Sequence, residues 1–315
     1  MSDGVTLRAM RANDLATADR VFKLAFGTWF GLADPMQFRG DASIMAARLG
    51  AYPEAGIVAE RDGAMIGFSF ASDWGSLGVL GPVAVLPDYW RHGLARRLVA
   101  ATCESFDRRR HRLAGLFTFP FPQDATHLRL YQDLGFWPRS LVPVMAKPAT
   151  ASAMPPDAIL LSRAPDRGAL VAQCRALTDG VFAGLDLGAE IAAAIDGGFG
   201  EVIVLAEGSA ASGFAVCHAG AGSEGGSKSC FVKFALARSG AEAESRLRRL
   251  IAACEAYALS RGIATVSAGT AAARHGAYRL LVELGFRATL TGVAMHRPYI
   301  DAYDRPEVFV LDDWR

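Results

Sequence analysis

The residues best placed to do chemistry form one short stretch, Val83-Ala-Val-Leu-Pro-Asp-Tyr-Trp-Arg-His-Gly-Leu-Ala95. An apolar strand runs through a proline and a glycine into helix-forming residues, Ala95 to Arg110. The first N–H groups of such a helix have no intrahelical partner and converge on one spot. The peptide dipoles add about half a positive charge there, so the spot suits an anion such as a pyrophosphate. Gly93 lets the backbone approach such a ligand closely. An ordinary strand-to-helix turn would read the same way, so the surrounding elements decide.

Trp90-Arg91-His92-Gly93-Leu94-Ala95 resembles motif A of the GNAT superfamily of acyl-CoA N-acyltransferases, where Gln/Arg-x-x-Gly-x-Gly/Ala follows a strand ending Val-x-Pro. Gly93 and Ala95 match; Trp90 stands at the Gln/Arg position, with Arg91 beside it. Leu130-Tyr-Gln-Asp-Leu-Gly-Phe136 resembles the family's later Tyr-x-x-x-Gly-Phe motif. The resemblance implies acetyl-CoA as co-substrate, with its pyrophosphate on Arg91, His92, Gly93, Leu94, Ala95 and Arg96. It implies pantetheine along Val83, Ala84 and Val85, and an oxyanion donor on the backbone there, at Val83. It places the Tyr131 hydroxyl beside the thioester sulfur as general acid.

Direct transfer to an amine also needs a group to take the amine's proton. The strand Leu77-Gly-Val-Leu-Gly-Pro82 carries no carboxylate. Asp73 just upstream and His127, one helical turn before Tyr131, are the candidate bases, with water as the alternative. The aromatics on the connections around the reactive end, Trp29, Phe30, Trp74, Phe119 and Phe121, are expected to wall the acceptor pocket. Phe119-Pro120 and Phe121-Pro122 stiffen that wall. The leading expectation is transfer of acetyl to a primary amine of a small molecule. The alternative is a non-catalytic CoA-binding or small-molecule sensing protein of the same fold, favoured if Trp90 blocks the phosphate site.

Composition narrows the remaining classes. The 315 residues carry a net charge of +1, which offers no broad footprint for nucleic acid or an anionic membrane. The basic run Arg108-Arg-Arg-His-Arg112 falls at a helix C-terminus, where cations are favoured. Cys103, Cys174, Cys217, Cys230 and Cys254 have no metal-ligand spacing and read as small buried residues, so no metal is expected. No basic-then-apolar leader and no span of about 18 apolar residues is present, which makes the cytoplasm the expected compartment. The partner is a small amine, and the chain is expected to act as a monomer or homodimer.

The elements that must position these residues follow in order. Val5 to Met10 is a strand, and Asn13-Asp14 caps a helix ending near Gly27. A short helix spans about Asp41 to Leu49, and Arg61-Asp62-Gly63 turns a hairpin between strands at Ala55–Glu60 and Met65–Ser72. Strands at Leu77–Leu86, Leu113–Phe119 and Phe136–Lys147 enclose the motif A helix and a helix from Asp124 to Leu134. The pattern implies an α/β class with a mixed α+β sheet.

The same pattern occurs twice. Ile57-Val-Ala-Glu-Arg-Asp-Gly-Ala-Met-Ile-Gly-Phe68 aligns without gaps on Ile203-Val-Leu-Ala-Glu-Gly-Ser-Ala-Ala-Ser-Gly-Phe214, at an offset of 146. Arg96 to Ala101 pairs with Arg248 to Ala253, and Leu134-Gly-Phe136 with Leu284-Gly-Phe286, at offsets of 152 and 150. Near-constant offsets in one order mean a duplicated domain. The expected division is a catalytic domain at 1–148, a linker at 149–157, a degenerate copy at 158–298 and a tail at 299–315. In the copy, Leu281 replaces Tyr131, and Glu242 and Glu244 lie where phosphate would be repelled. Its Gly/Ser-rich stretch Ala219–Ser229 reads as a flexible connection. The apolar tail Val308-Phe-Val-Leu311 is expected to lie as a strand in the cleft between the domains. It acts there as a clasp, or brings Asp312, Asp313 or the terminal carboxylate to the acceptor pocket.

Overall fold

The computed structural model describes residues 4–54, 56–120 and 126–315. β1 (Val5–Ala9) leads through a 3₁₀ turn into α1 (Leu15–Trp29). Asp14 fixes the turn, accepting from the Arg11 N–H at 2.8 Å and pairing with Arg8 at 2.7 Å. The helix runs past Gly27 instead of stopping there. Gly27 serves close approach: a Cβ on it would lie 2.3 Å from the Pro35 carbonyl oxygen. After α2 (Met45–Ala51), β2 (Ile57–Arg61) and β3 (Ala64–Trp74) form the expected hairpin. Asp62 and Gly63 both take left-handed backbone, at φ 51° and 78°, as a tight two-residue turn requires.

β4 (Leu77–Val85), α3 (Leu94–Arg109), β5 (Leu113–Thr118), α4 (Thr126–Gln132) and β6 (Trp137–Pro148) complete the first repeat. The second follows in the same order: β7 (Ala158–Leu160), α5 (Arg167–Val181), α6 (Gly188–Asp196), β8 (Gly200–Glu207), β9 (Ala210–Gly220), β10 (Gly226–Ala237), α7 (Ala243–Ser260), β11 (Thr265–Gly269), α8 (His275–Glu283) and β12 (Arg287–Arg297). β13 (Val310–Leu311) belongs to the tail. The pairing repeats as well, with Phe68 opposite Ala84 and Phe214 opposite Leu236.

Thirteen strands among the described residues form one sheet, in the order β1-β2-β3-β4-β5-β12-β6-β11-β10-β9-β8-β7, with β13 on β10. The last strands have changed places. β12 lies against β5, from Val293 opposite Thr118 to Arg297 opposite Ala114. β6 lies against β11, from Thr265 opposite Pro148 to Gly269 opposite Val144. The two exchanged strands pair with each other at the centre, so residues 1–148 do not close a sheet by themselves. The core is shared in the same way: Trp74, Leu77 and Leu113 pack in one cluster with Phe214, Phe234 and Leu236. No helix among the described residues is long and apolar enough to cross a membrane.

Candidate active site

The parallel ladder between β4 and β5 ends at Leu80 opposite Leu116, whereas β4 continues along β3 to Val85. The two strands therefore part, and the β5 side of β4 is left open beyond Leu80. Which groups face that opening follows from the alternation of an antiparallel pair. Leu86 donates its N–H to Ile66 on β3, so Leu86 and Ala84 face β3 while Val83 and Val85 face the opening. Just before them the register jumps: Gly81 and Pro82 on β4 oppose Phe70 alone, a β-bulge that re-aims the strand.

Past β4 the chain makes a 3₁₀ turn at Pro87–Tyr89 and enters α3 at Leu94. Arg91 and Gly93 both have left-handed backbone, at φ 64° and 77°. A Cβ on Gly93 would meet open space, so glycine is needed there for its backbone conformation. The first intrahelical bond runs from the Arg97 N–H to the Gly93 oxygen at 3.2 Å. The N–H groups of Leu94, Ala95 and Arg96 thus have no intrahelical acceptor, beside the exposed Arg91, His92 and Gly93. Leu94 is buried with Ala59, Ile66 and Val85, which pins the helix start to the sheet.

Two side chains of the turn depart from expectation. Arg96 pairs with Asp133 at 2.8 Å, so its charge is shared with a carboxylate instead of standing free for phosphates. Both groups are exposed, and such a pair is weak and exchangeable. Trp90 folds back on the strand, where its indole N–H donates to the Val85 oxygen at 2.7 Å. That carbonyl faces the opening, so the indole holds one of the groups a pantetheine would pair with.

Tyr131 lies half-buried on α4 and packs, like Val83, on the cluster of Leu80, Val99, Leu116 and Phe136. Burial pushes its phenol up to about 12, so it is protonated at neutral pH. His127 stacks toward Trp29, with ring centroids 5.1 Å apart. Trp29 in turn meets Phe30 at 4.9 Å and Phe119 at 5.3 Å. Trp29, Phe30, Phe119 and His127 are thus brought together at the end of α1, while Phe121 lies outside the described residues.

Two expected site residues are elsewhere. Asp73 pairs with Gly78 of β4, five residues before Val83 and about 17 Å away along the strand. There it bonds Arg109 at 2.6 Å and His111 at 3.0 Å. Burial opposes its ionisation, but those partners hold its carboxyl below the usual range. Asp73 is therefore a salt-bridge residue, not a base at the opening. Trp74 is 2% exposed, donates to Glu190 at 3.0 Å and packs on Phe234 at 5.8 Å. It belongs to the joint between the halves, because consecutive strand residues point to opposite faces and β3 ends far from the aromatic cluster.

The second half carries the same opening, and it is filled. Val83 and Ala235 correspond, since each lies one step beyond the matched pairs on β3 and β9. Ala235 and Leu236 pair with Leu311 and Val310 of β13, and the Ala237 N–H donates to the Phe309 oxygen at 3.0 Å. The tail strand thus runs where pantetheine would lie in the first half. Asp312 is bound by Arg274 at 2.5 Å and by the Tyr303 hydroxyl at 2.6 Å, so it does not reach the acceptor pocket. Leu281 is fully buried where Tyr131 is half-buried, and Glu244 on α7 pairs with Arg248 and Arg279.

Arg48, Glu224 and Lys233 also meet near β4 and were not singled out by sequence. Their signal was a charge inside an apolar run: Met45-Ala-Ala-Arg-Leu-Gly-Ala51 and Cys230-Phe-Val-Lys-Phe-Ala-Leu236. Glu224 lies in the stretch that composition reads as flexible, yet it is 1% exposed.

Residues 20–136 match the model of the acetyltransferase (GNAT) family. No curated protein matches the sequence. A proposed acetyltransferase from Pyrococcus horikoshii superposes on all of this chain and 96% of its own, with a TM-score of 0.71 at 13% identity. A tandem GNAT protein from the clavulanic acid biosynthesis pathway covers 93% of this chain and 98% of its own, at 0.59 and 15%. A GCN5-related N-acetyltransferase from Sphaerobacter thermophilus covers 97% and 98%, at 0.57 and 16%. The chain as a whole has the tandem GNAT fold. Within it, residues 20–136 carry the sequence pattern of the acetyltransferase (GNAT) family.

Proposed function

We propose that the first half is an acyl-CoA-dependent N-acyltransferase, carrying acetyl from acetyl-CoA to a primary amine of a small molecule. One observation carries the reading: the exposed turn at Gly93 and the open β4 edge at Val83 adjoin the cluster on which Tyr131 packs. The pyrophosphate lies on the N–H groups of Leu94, Ala95 and Arg96, with Arg91 and His92 at its side. Pantetheine runs along Val83 and Val85 and displaces the Trp90 indole from the Val85 carbonyl. A neutral amine attacks the thioester carbon, the C–N bond forms, and the Val83 N–H holds the oxyanion. The C–S bond then breaks and the leaving thiolate takes the Tyr131 proton. His127 beside Trp29 takes the proton from the attacking amine, directly or through water. Trp29, Phe30 and Phe119 wall the acceptor.

The amine is a free small molecule, met in the cytoplasm by a monomer or homodimer; the near-zero net charge favours no polyanionic partner. The Trp90 bond to Val85 favours a second reading, a protein that senses a small molecule without turning it over. Thiol release from acetyl-CoA with a panel of amines, read beside calorimetry, separates the two. Turnover with one site per chain supports the enzyme, and binding without turnover supports the sensor. No binding at all removes both.

A further inference from the structure

The bulge on β4 is held from the other half of the molecule. Its residues, Gly81 and Pro82, bring little side chain and a single backbone N–H between them. Arg48 on α2, 2% exposed, donates from Nη1 to the Gly81 oxygen. The rest of its guanidinium belongs to the second half. Nε and Nη2 lie 3.5 Å and 3.2 Å from the Glu224 carboxylate, and Nη2 also donates to the Arg315 carbonyl of the tail. Glu224 is fixed in turn by Lys233 at 2.5 Å, and Lys233 reaches Glu190 at 2.8 Å. Arg39 donates to the Glu224 backbone oxygen at 2.7 Å.

Stability alone does not account for this cluster. Buried ion pairs of such depth are often matched or bettered by apolar side chains of the same volume, whereas they fix geometry sharply. The fixed geometry here is that of Gly81, two residues before the N–H proposed to hold the oxyanion. An arginine fork holds its acceptors in one plane at fixed angles, whereas a lysine ammonium is a point charge whose donors rotate freely.

We propose that the second half is a working part of the first half's reaction centre: Glu224 and the tail hold Arg48, and Arg48 holds the β4 bulge that aims the Val83 N–H. Arg48 and Glu224 are positioning residues, since neither touches the reacting atoms. The inference rests on the acyltransferase reading for its effect on rate, but not for its effect on the strand. It assigns a task to a half that lacks the tyrosine and the phosphate turn.

The test uses the full chain with Arg48→Lys, which keeps the charge but loses the fork, and Glu224→Gln, which keeps the shape but loses the charge. Acetyl-CoA affinity, kcat and the amine KM are measured together with melting temperature and amide exchange over residues 77–86. Each variant is expected to keep its affinity and KM, to lose about 10- to 100-fold in kcat, as slight misplacement of reacting groups does, and to exchange faster over 77–86. The double variant should be no slower than the slower single, as for two parts of one linkage. A folded Arg48→Lys with unchanged kcat and unchanged exchange overturns the proposal, and so does a lowered melting temperature as the sole effect. If the unaltered chain acylates no amine, the acyltransferase reading fails, and exchange over 77–86 alone decides whether Arg48 holds the bulge.

Discussion

Along the outer edge of β4, Val83 and Val85 turn their backbone groups into an opening where the Trp90 indole bonds the Val85 oxygen. Along β10, the matching Ala235 and Ala237 face the same kind of opening, and Phe309, Val310 and Leu311 of the chain itself close it. The parting of two parallel strands leaves donors and acceptors that must be paired or wetted whatever the half does. Where the first half leaves the edge open, the second half lays its own strand. The difference shows that the second half keeps the geometry of the opening and fills it from within.

The sharpest way to break this comparison is at the phosphate turns. Gly93→Glu adds a side chain to left-handed backbone and a negative charge at the anion spot, and should abolish acetyl-CoA binding by calorimetry. Glu242→Gln at the matching place in the second half should leave affinity and a stoichiometry of one untouched. A second site appearing there would end the distinction between the halves.

Tyr131 and Leu281 sharpen it next, because one aligned position carries the proposed general acid in one half and a fully buried leucine in the other. Tyr131→Phe is expected to lower kcat by roughly 10²-fold with acetyl-CoA affinity kept, the range for loss of a positioned acid. Leu281→Ala should leave turnover alone yet cost about 2–5 kcal/mol in denaturant unfolding, as a fully buried leucine does. Full activity in Tyr131→Phe on a verified amine would remove the tyrosine from the mechanism.

Removing residues 308–315 tests whether the second opening is closed or merely covered. A lower melting temperature with one acetyl-CoA per chain is expected, since the tail side chains Val310, Leu311 and Trp314 are buried. Two sites per chain in that variant would mean that the tail only masks a working slot.

The smallest effect is set by pH. His218 on β9 stands where the first half has Ser72, and its ring is fully buried. Burial lowers it to about 4 from an ordinary value near 6.5; Lys233 and Arg48 add to this, and Glu224 and Glu190 oppose it. Between those values the unfolded chain binds a proton that the folded chain refuses. Its contribution is therefore complete above pH 6.5 and is lost as pH falls to 4, about 3 kcal/mol in all. Urea unfolding of His218→Gln should show a flatter slope over that window.

Much of this was legible in the chain. The hairpin at Asp62-Gly63, the turn at Gly93 and the duplicated order of elements all rest on local conformation or on spacing, which sequence records directly. What it does not record is which sheet a strand joins. The repeat offset of Phe136 and Phe286 is the same whether β6 and β12 stay in their own halves or exchange. Asp73 and Trp74 are near the reactive end along the chain but not in space, because a strand carries its residues about 3.3 Å apart in a straight line. Arg48 was passed over because a single charge in a short helix reads as surface until its partners, most of them in the other half, are in place.

The exchange of β6 and β12 reaches into how the chain is made. On the ribosome β5 emerges with its neighbour still untranslated, and residues 287–297 follow only after roughly 10–30 s of synthesis. Through that interval the edge at Ala114–Thr118 has no partner from its own chain and is open to any other. A second copy that has already made its β12 can supply the missing strand with the same pairing the finished protein uses within itself. A dimer swapped in that way would keep every strand pairing of the monomer, so its formation would depend on how soon each chain's own β12 arrives.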